Sequence, residues 1–128
     1  MSHVCHVTLA FKVSGQNLGQ WGKFDNANKM MKKVINEWYI EVGKAKQKDL
    51  DKCCSVAGHY TQIVADRSTA VGCAIAAYDS QSQIVCNYAF TNMGNQPIYV
   101  SGKPASGCKT GTNPRFSALC STKENIKP

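Results

Sequence analysis

The sequence predicts an α+β fold, on two observations. From Phe24 to Val42 apolar residues recur at three- and four-residue steps, the pattern of one helix face. Two runs rich in β-branched and aromatic residues follow, Val71 to Tyr78 and Gln83 to Tyr88, joined by the polar turn Asp79-Ser80-Gln81-Ser82. A long helical pattern and a strand hairpin in one chain make a mix of helix and sheet. The 128 residues suffice for one domain around one core.

In chain order, Val4, Val7 and Phe11 have helix-like spacing, so Met1 to Lys12 reads as the tail of a helix. In Ser14-Gly15-Gln16-Asn17-Leu18-Gly19 the glycines permit a close backbone approach or a bulge, and Leu18 starts a short strand. The helix over Phe24 to Val42 takes Asp25 as its N-cap and ends at Gly43. Its stripe is Ala27, Met30, Met31, Val34, Ile35, Trp38 and Val42, which reads as core rather than ligand pocket. Glu41 stands at the edge of that stripe, where a carboxylate is buried only if paired. Lys44 to Lys52 is a polar connection. Cys53 and Cys54 are vicinal, a spacing that rarely closes on itself, so at most one of them joins a long-range bridge. Val56 to Val64 forms a short helix, and Asp66 to Thr69 a turn. Cys73 and Cys86 face one another across the strand hairpin or on adjacent strands. Ile98-Tyr99-Val100 reads as a last short strand. From Ser101 onward Gly, Pro, Ser and Thr make a loop, and Cys108 and Cys120 bracket a stretch suited to a staple.

Hydrophobic content of 43% and charged content of 18% are those of a globular protein, and no run of apolar residues reaches the length of a transmembrane helix. The net charge is +7, with lysines at Lys29, Lys32, Lys33 and at Lys44, Lys46, Lys48, Lys52. A solvated face is the simpler account. The aromatic residues are not interleaved with the basic ones and no nucleic-acid motif occurs, so nucleic acid is not an expected partner. Loose attraction to anionic membranes or glycans fits the charge. Seven cysteines point to an oxidising, extracellular setting, yet Val7 to Phe11 is too short for the apolar core of a signal peptide. The cysteine count is also odd. Both features lead to the expectation of an N-terminally incomplete copy of a secreted protein.

Gly58-His59-Tyr60-Thr61-Gln62-Ile63-Val64 carries the chemistry. On a helix His59, Gln62 and Ile63 share a face. Taken alone, the stretch reads as a core helix with a satisfied histidine. Its neighbours in sequence change the reading. Val85-Cys86-Asn87-Tyr88 follows downstream, Ser14 to Leu18 precedes it with a Gly-Gln-Asn segment, and Trp38-Tyr39-Ile40-Glu41-Val42 lies between. The tail from Cys108 to Ser121 completes the set. In this order the motifs resemble the CAP superfamily, also called SCP/TAPS, and within it the antigen 5-related proteins of insects, the tail being similar to that of fly proteins.

The resemblance implies a CAP-type α-β-α sandwich with a central cleft, its first helix missing here. Residues 1–100 would form the CAP domain, N-terminally incomplete, and 101–128 a cysteine-containing C-terminal extension. The family cleft holds two histidines and two acidic residues, and its histidines can bind zinc. His59 matches the second histidine and Glu41 the second acid. Gln16 stands at the first acid. The position of the first histidine falls on Ser2, with His3 one place off. The family pattern and the hairpin imply the pairs Cys73–Cys86 and Cys108–Cys120, and Cys5 is expected to be a free thiol unless Cys53 or Cys54 captures it.

Gln16 is a poor zinc ligand and cannot act as a general base. Zinc binding is therefore expected to be weak at best, through His59 with Glu41 and His3 as a further candidate, and no resident cofactor is expected. Ser55 and Thr61 have no triad or elbow context, and a catalytic thiol at Cys53 or Cys54 is a remote reading, so no residue is assigned as catalytic. The leading expectation is a secreted, non-enzymatic binding protein taking a small hydrophobic ligand, lipid or sterol, or a host or partner protein. The alternatives are a truncated product without function of its own and a weak protease-like hydrolase using His59 and Glu41. Absence of a first helix would uncover on the order of several hundred Å² of apolar surface. The chain is then expected to fold poorly or to self-associate.

Overall fold

The computed structural model describes residues 14–53 and 56–126. The helix expected over Met1 to Lys12, and the readings of Ser2, His3, Cys5, Cys54 and Ser55, lie outside the described residues.

Among the described residues the elements run β1 (Gly15–Gly22), α1 (Ala27–Ile40), a 3-10 turn (Glu41–Gly43), α2 (Gln47–Asp51), α3 (Gly58–Ile63), β2 (Val71–Ala77) and β3 (Gln81–Tyr88). The strands form one antiparallel sheet in the order β1-β3-β2. One face of that sheet packs on α1. Met30, Val34 and Trp38 come down from the helix onto Ile84, Cys86 and Tyr88 of the central strand. Each fully buried side chain of this kind contributes about 1.5–3 kcal/mol relative to exposure. A smaller cluster joins Cys53, Ala65 and Ile98. Among the described residues, no helix is long and apolar enough to cross a membrane.

α1 follows its periodicity with three corrections. Its N-cap is Asn26, whose extended backbone lets the side-chain oxygen accept from the N–H of Lys29, while Asp25 forms an ion pair with Lys29 at 2.7 Å. Gly43 does not close the helix in a left-handed turn; the chain tightens into the 3-10 turn after Ile40 instead. Ile35 and Val42, on the expected stripe, are exposed, because the sheet covers only the arc centred on Val34.

The lysine-rich connection contains an unforeseen helix, α2. Its start is fixed by Asp49, whose carboxylate accepts from the N–H of Lys46 at 2.9 Å. Strand β1 is longer than expected and pairs without a bulge. Its glycines permit close approach. A Cβ built on Gly15 would lie 2.1 Å from Gln62 Oε1, and one on Gly19 2.8 Å from Val34 Cγ1. Gln62 cannot yield cheaply, since it is buried and bonded at both ends of its amide. Gly15→Ala is therefore expected to cost about 1–3 kcal/mol in denaturant unfolding. Gly22→Ala, which meets nothing within 4 Å, should stay within about 0.5 kcal/mol of wild type.

Gln81 and Ser82, read as turn, belong to β3. Ile98-Tyr99-Val100 is not a strand among the described residues. Ile98 is buried in irregular chain, donating to Leu50 O and accepting from Asp66 N. The disulfides Cys73–Cys86 and Cys108–Cys120 are both present. Cys53 is also disulfide-bonded. The segment after Ser101 is irregular, with an isolated bridge between Thr112 and Cys120. The carboxylate of Glu124 gathers the backbone N–H groups of Lys109 and Thr110 and the Thr110 hydroxyl.

Candidate functional site

The end of α1, the start of α3, the beginning of β1 and the loop after β3 enclose an open cleft of about 640 Å³. Gln16, Asn17, Glu41, Val56, Gly58, His59, Asn92 and Gly94 line it.

Glu41 organises it. As the first residue of the 3-10 turn it reaches the N-terminus of α3, where helix N–H groups lack partners. One oxygen accepts from the backbone N–H groups of His59 at 3.0 Å and Tyr60 at 3.2 Å. The other meets His59 Nδ1 at 2.8 Å. A carboxylate at this place both caps the helix and fixes the imidazole. Trp38, one turn earlier, stacks on that ring with centroids 5.7 Å apart and planes 10° from parallel. With Nδ1 donating to Glu41, His59 Nε2 is left without a partner among the described residues. The side chain is 40% exposed, against 22% for Glu41.

The cleft floor is held by amides. Asn17 is buried and donates from Nδ2 to His59 O at 3.1 Å and to the Tyr88 hydroxyl at 3.3 Å. Asn92 donates to Gly58 O at 3.0 Å and to Thr61 Oγ1 at 2.8 Å. Gln62 donates to Phe90 O at 2.7 Å and accepts from Asn92 N at 3.1 Å. These bonds tie α3 to the chain leaving β3. The sequence reading singled out neither Asn17 nor Asn92, although Asn17 directly follows the glutamine it did select.

Of the sequence-selected residues, Glu41 and His59 meet. Gln16 reaches the cleft wall, but its amide donates to Asn87 Oδ1 at 2.8 Å, on the sheet face opposite Asn17. His3 lies outside the described residues. Among the described residues, no group of three or more His, Cys, Asp or Glu could hold a metal ion. One free imidazole nitrogen, beside a carboxylate already committed to three donors, does not make a zinc site on its own. Candidate nucleophiles are occupied too. The Thr61 hydroxyl donates to Gly58 O at 3.1 Å, and Cys53 is in a disulfide.

Burial raises the Glu41 carboxyl. The His59 ring hydrogen bond, the two backbone N–H groups and the His59 charge outweigh it, and the net displacement is downward. A lowered native value means that the stabilisation is complete above the ordinary glutamate value of about 4.3 and is lost as pH falls through the native one. Thermal melts from neutral pH to about pH 3 are expected to show wild type losing more stability below about pH 4.3 than Glu41→Gln, which has no proton to take up. Equal losses would mean that the pair is not formed in solution.

The sequence matches the Cysteine-rich secretory protein family, CAP, over residues 2–88. It is 37% identical to venom allergen-1 of Aedes albopictus over 136 aligned positions, covering 96% of this chain and 53% of that protein. It is 34% identical to a scoloptoxin of Scolopendra dehaani, covering 88% of this chain and 55% of that protein. The chain thus spans about half the length of these curated relatives. Among solved structures, Na-ASP-1 superposes with a TM-score of 0.71 at 26% identity, over 84% of this chain and 30% of that one. NaASP2 with Zn2+ superposes with a TM-score of 0.69 at 24% identity, over 86% of this chain and 60% of that one, a likeness of fold. With the motifs in order, the α+β arrangement in place and the His59–Glu41 pair at the cleft, the chain belongs to the CAP family of cysteine-rich secretory proteins, among the insect-type, venom allergen-like members.

Proposed function

We propose that this chain acts outside the cell as a non-enzymatic binding protein whose cleft takes hydrogen-bonding groups of an extracellular partner protein. One observation carries the reading. The cleft offers a single fixed imidazole with an unpartnered Nε2 among amides already engaged, and among the described lining residues no titratable group besides that imidazole and the Glu41 carboxylate that holds it, and no free nucleophile. Such a site can donate or accept a hydrogen bond, but its carboxylate is taken up by three donors and no free nucleophile stands beside it among the described residues, as hydrolysis calls for. Membership of a secretory family and the disulfides support an extracellular setting.

The small hydrophobic ligand has less support. The cleft walls carry Gln16, Asn17, Glu41, His59 and Asn92. The more apolar recess between Ala70, Val71, Tyr88 and Ala89 is about 250 Å³, below the roughly 300–1,000 Å³ of ordinary ligand pockets. Anionic membranes or glycans draw on lysines that are partly engaged, Lys29 with Asp25 and Lys33 over the Trp21 ring at 4.4 Å.

The test uses the chain beside His59→Ala, both checked for folding by circular dichroism. A displayed random-peptide library should yield ligands that lose about tenfold or more in affinity to the variant, equivalent to about 1.4 kcal/mol. A fluorogenic peptide mixture should be cleaved no faster by the chain than by the variant. Turnover that depends on His59 would make this a hydrolase. Saturable binding of a fluorescent fatty acid or sterol, lost in the variant, would move the reading to the hydrophobic ligand.

A further inference from the structure

The outer edge of β2 is built to take another strand. Among the described residues β2 lies at the side of the sheet, bonded only to β3. The bonds Ala89 N to Ala70 O and Tyr78 N to Gln81 O extend its ladder at both ends. Between them, the Cys73–Cys86 Cα separation of 4.1 Å is that of a non-hydrogen-bonded pair, about 4.5 Å rather than about 5.5 Å. Alternation then fixes the rest. Gly72, Ala74 and Ala76 bond to β3, while Val71, Cys73, Ile75 and Ala77 turn their N–H and C=O groups away from it. Among the described residues none of these outward groups has a hydrogen-bond partner.

Edge strands are ordinarily guarded by a charge, a proline, a bulge or a covering segment. Val-Gly-Cys-Ala-Ile-Ala-Ala has no charge and no proline, and its register is unbroken. Val71 is 59% exposed, and exposure continues through Ala74. The other edge, β1, is interrupted by Gly15, Gly19 and Gly22, and Lys33 lies over its Trp21.

We propose that β2 is a self-association edge, on which a second copy of this chain pairs antiparallel about a two-fold axis at Ala74. In that register Val71 faces Ala77 of the other copy and Cys73 faces Ile75, so every outward N–H and C=O of both strands is paired. Ala74 meets its own counterpart at the closest spacing, where a methyl group fits and a larger side chain is crowded. Both Ala74 side chains lie on the sheet face away from α1, which continues the row Leu18, Val85, Ala74 across the junction. Just past the paired segment, Asp79 arrives opposite Thr69, two residues from Arg67, so the charges nearest the edge are of opposite sign. A free peptide of another protein would have no such matched register, and two chains of net charge +7 can approach here because the strand itself is uncharged.

The experiment is sedimentation of the whole chain from about 1 μM to about 1 mM, with free thiols alkylated so that the odd cysteine forms no covalent dimer. Amide exchange is read at both ends of that range. Wild type is expected to dimerise as concentration rises, with the amides of Val71, Cys73, Ile75 and Ala77 gaining protection. Those of Gly72, Ala74 and Ala76 should be protected throughout. Ala74→Lys places a charge at the axis on an exposed site, and Ala77→Pro removes one outward donor without touching the ladder to β3. Each should raise the dissociation constant by about tenfold or more, with unchanged circular dichroism. A wild type monomeric at about 1 mM, a dimer indifferent to both variants, or protection appearing on β1 instead would overturn the proposal.

Discussion

Trp38→Ala is expected to cost about 3–5 kcal/mol, the usual range for removing a buried tryptophan. Trp38 is 4% exposed and stands where two parts of the molecule meet. Within the core it packs with Val34 and Ile84, and it lies close behind Gly19 of β1. Toward the cleft it stacks on His59. Domains of this size hold a margin of about 5–15 kcal/mol, so the variant should lose about a fifth of it or more. Denaturant unfolding measures this, and Trp38→Phe, which keeps an aromatic ring, should cost clearly less. The variant should also loosen the imidazole while Glu41 still caps α3. In NMR spectra the His59 ring resonances should then broaden although the helix persists. A loss below about 1 kcal/mol would show that the helix–sheet core is not centred on this residue.

What the sequence revealed follows from which interactions are local. The stripe of α1 was legible because Met30, Val34 and Trp38 recur at the helix period and all are buried. Ile35 and Val42 obey the same period yet are exposed, because the width of the sheet, not the helix, sets how much of the stripe is covered. Helix α2 escaped because its five residues give no periodicity to detect; its sign was Asp49 placed three after Lys46. Ile98 has the apolar neighbours of a strand, but its partners are backbone groups of Leu50 and Asp66, distant in sequence. The Cys73–Cys86 pair was readable from the hairpin and the family resemblance together.

The site shows the same division. His59 and Glu41 are 18 residues apart, and only the resemblance, not spacing, brought them together. Gln16 was chosen for its place in a motif, whereas its actual hydrogen bond runs to Asn87, a partner set by strand register. Asn92 had no signal of its own. Its role, bonding Gly58 O and Thr61 Oγ1, exists only once α3 and the loop after β3 are side by side.

Removing the Cys73–Cys86 bridge should cost about 3 kcal/mol, within the usual 2–4, since a loop of this length restricts the unfolded chain by about that much. The bridge spans a sequence separation of 13 and ties an edge strand to the central one. Cys73→Ala isolates the constraint, because Cys73 is exposed and Cys86 remains as a small buried hydrophobe. Cys86→Ala breaks the same bridge and also opens a gap between Ile84 and Tyr88, so it should cost about 1 kcal/mol more. The Cys108–Cys120 bridge has almost the same separation, 12, and the entropy argument alone assigns it the same value. Its loop, however, lies outside the core clusters, so Cys108→Ala should loosen residues 101–126 without moving the main transition by a comparable amount. Urea unfolding of the three variants decides. Equal losses from Cys73→Ala and Cys108→Ala would place the C-terminal segment inside the cooperative unit. A loss below about 1 kcal/mol from Cys73→Ala would mean that the hairpin is already closed in the unfolded chain.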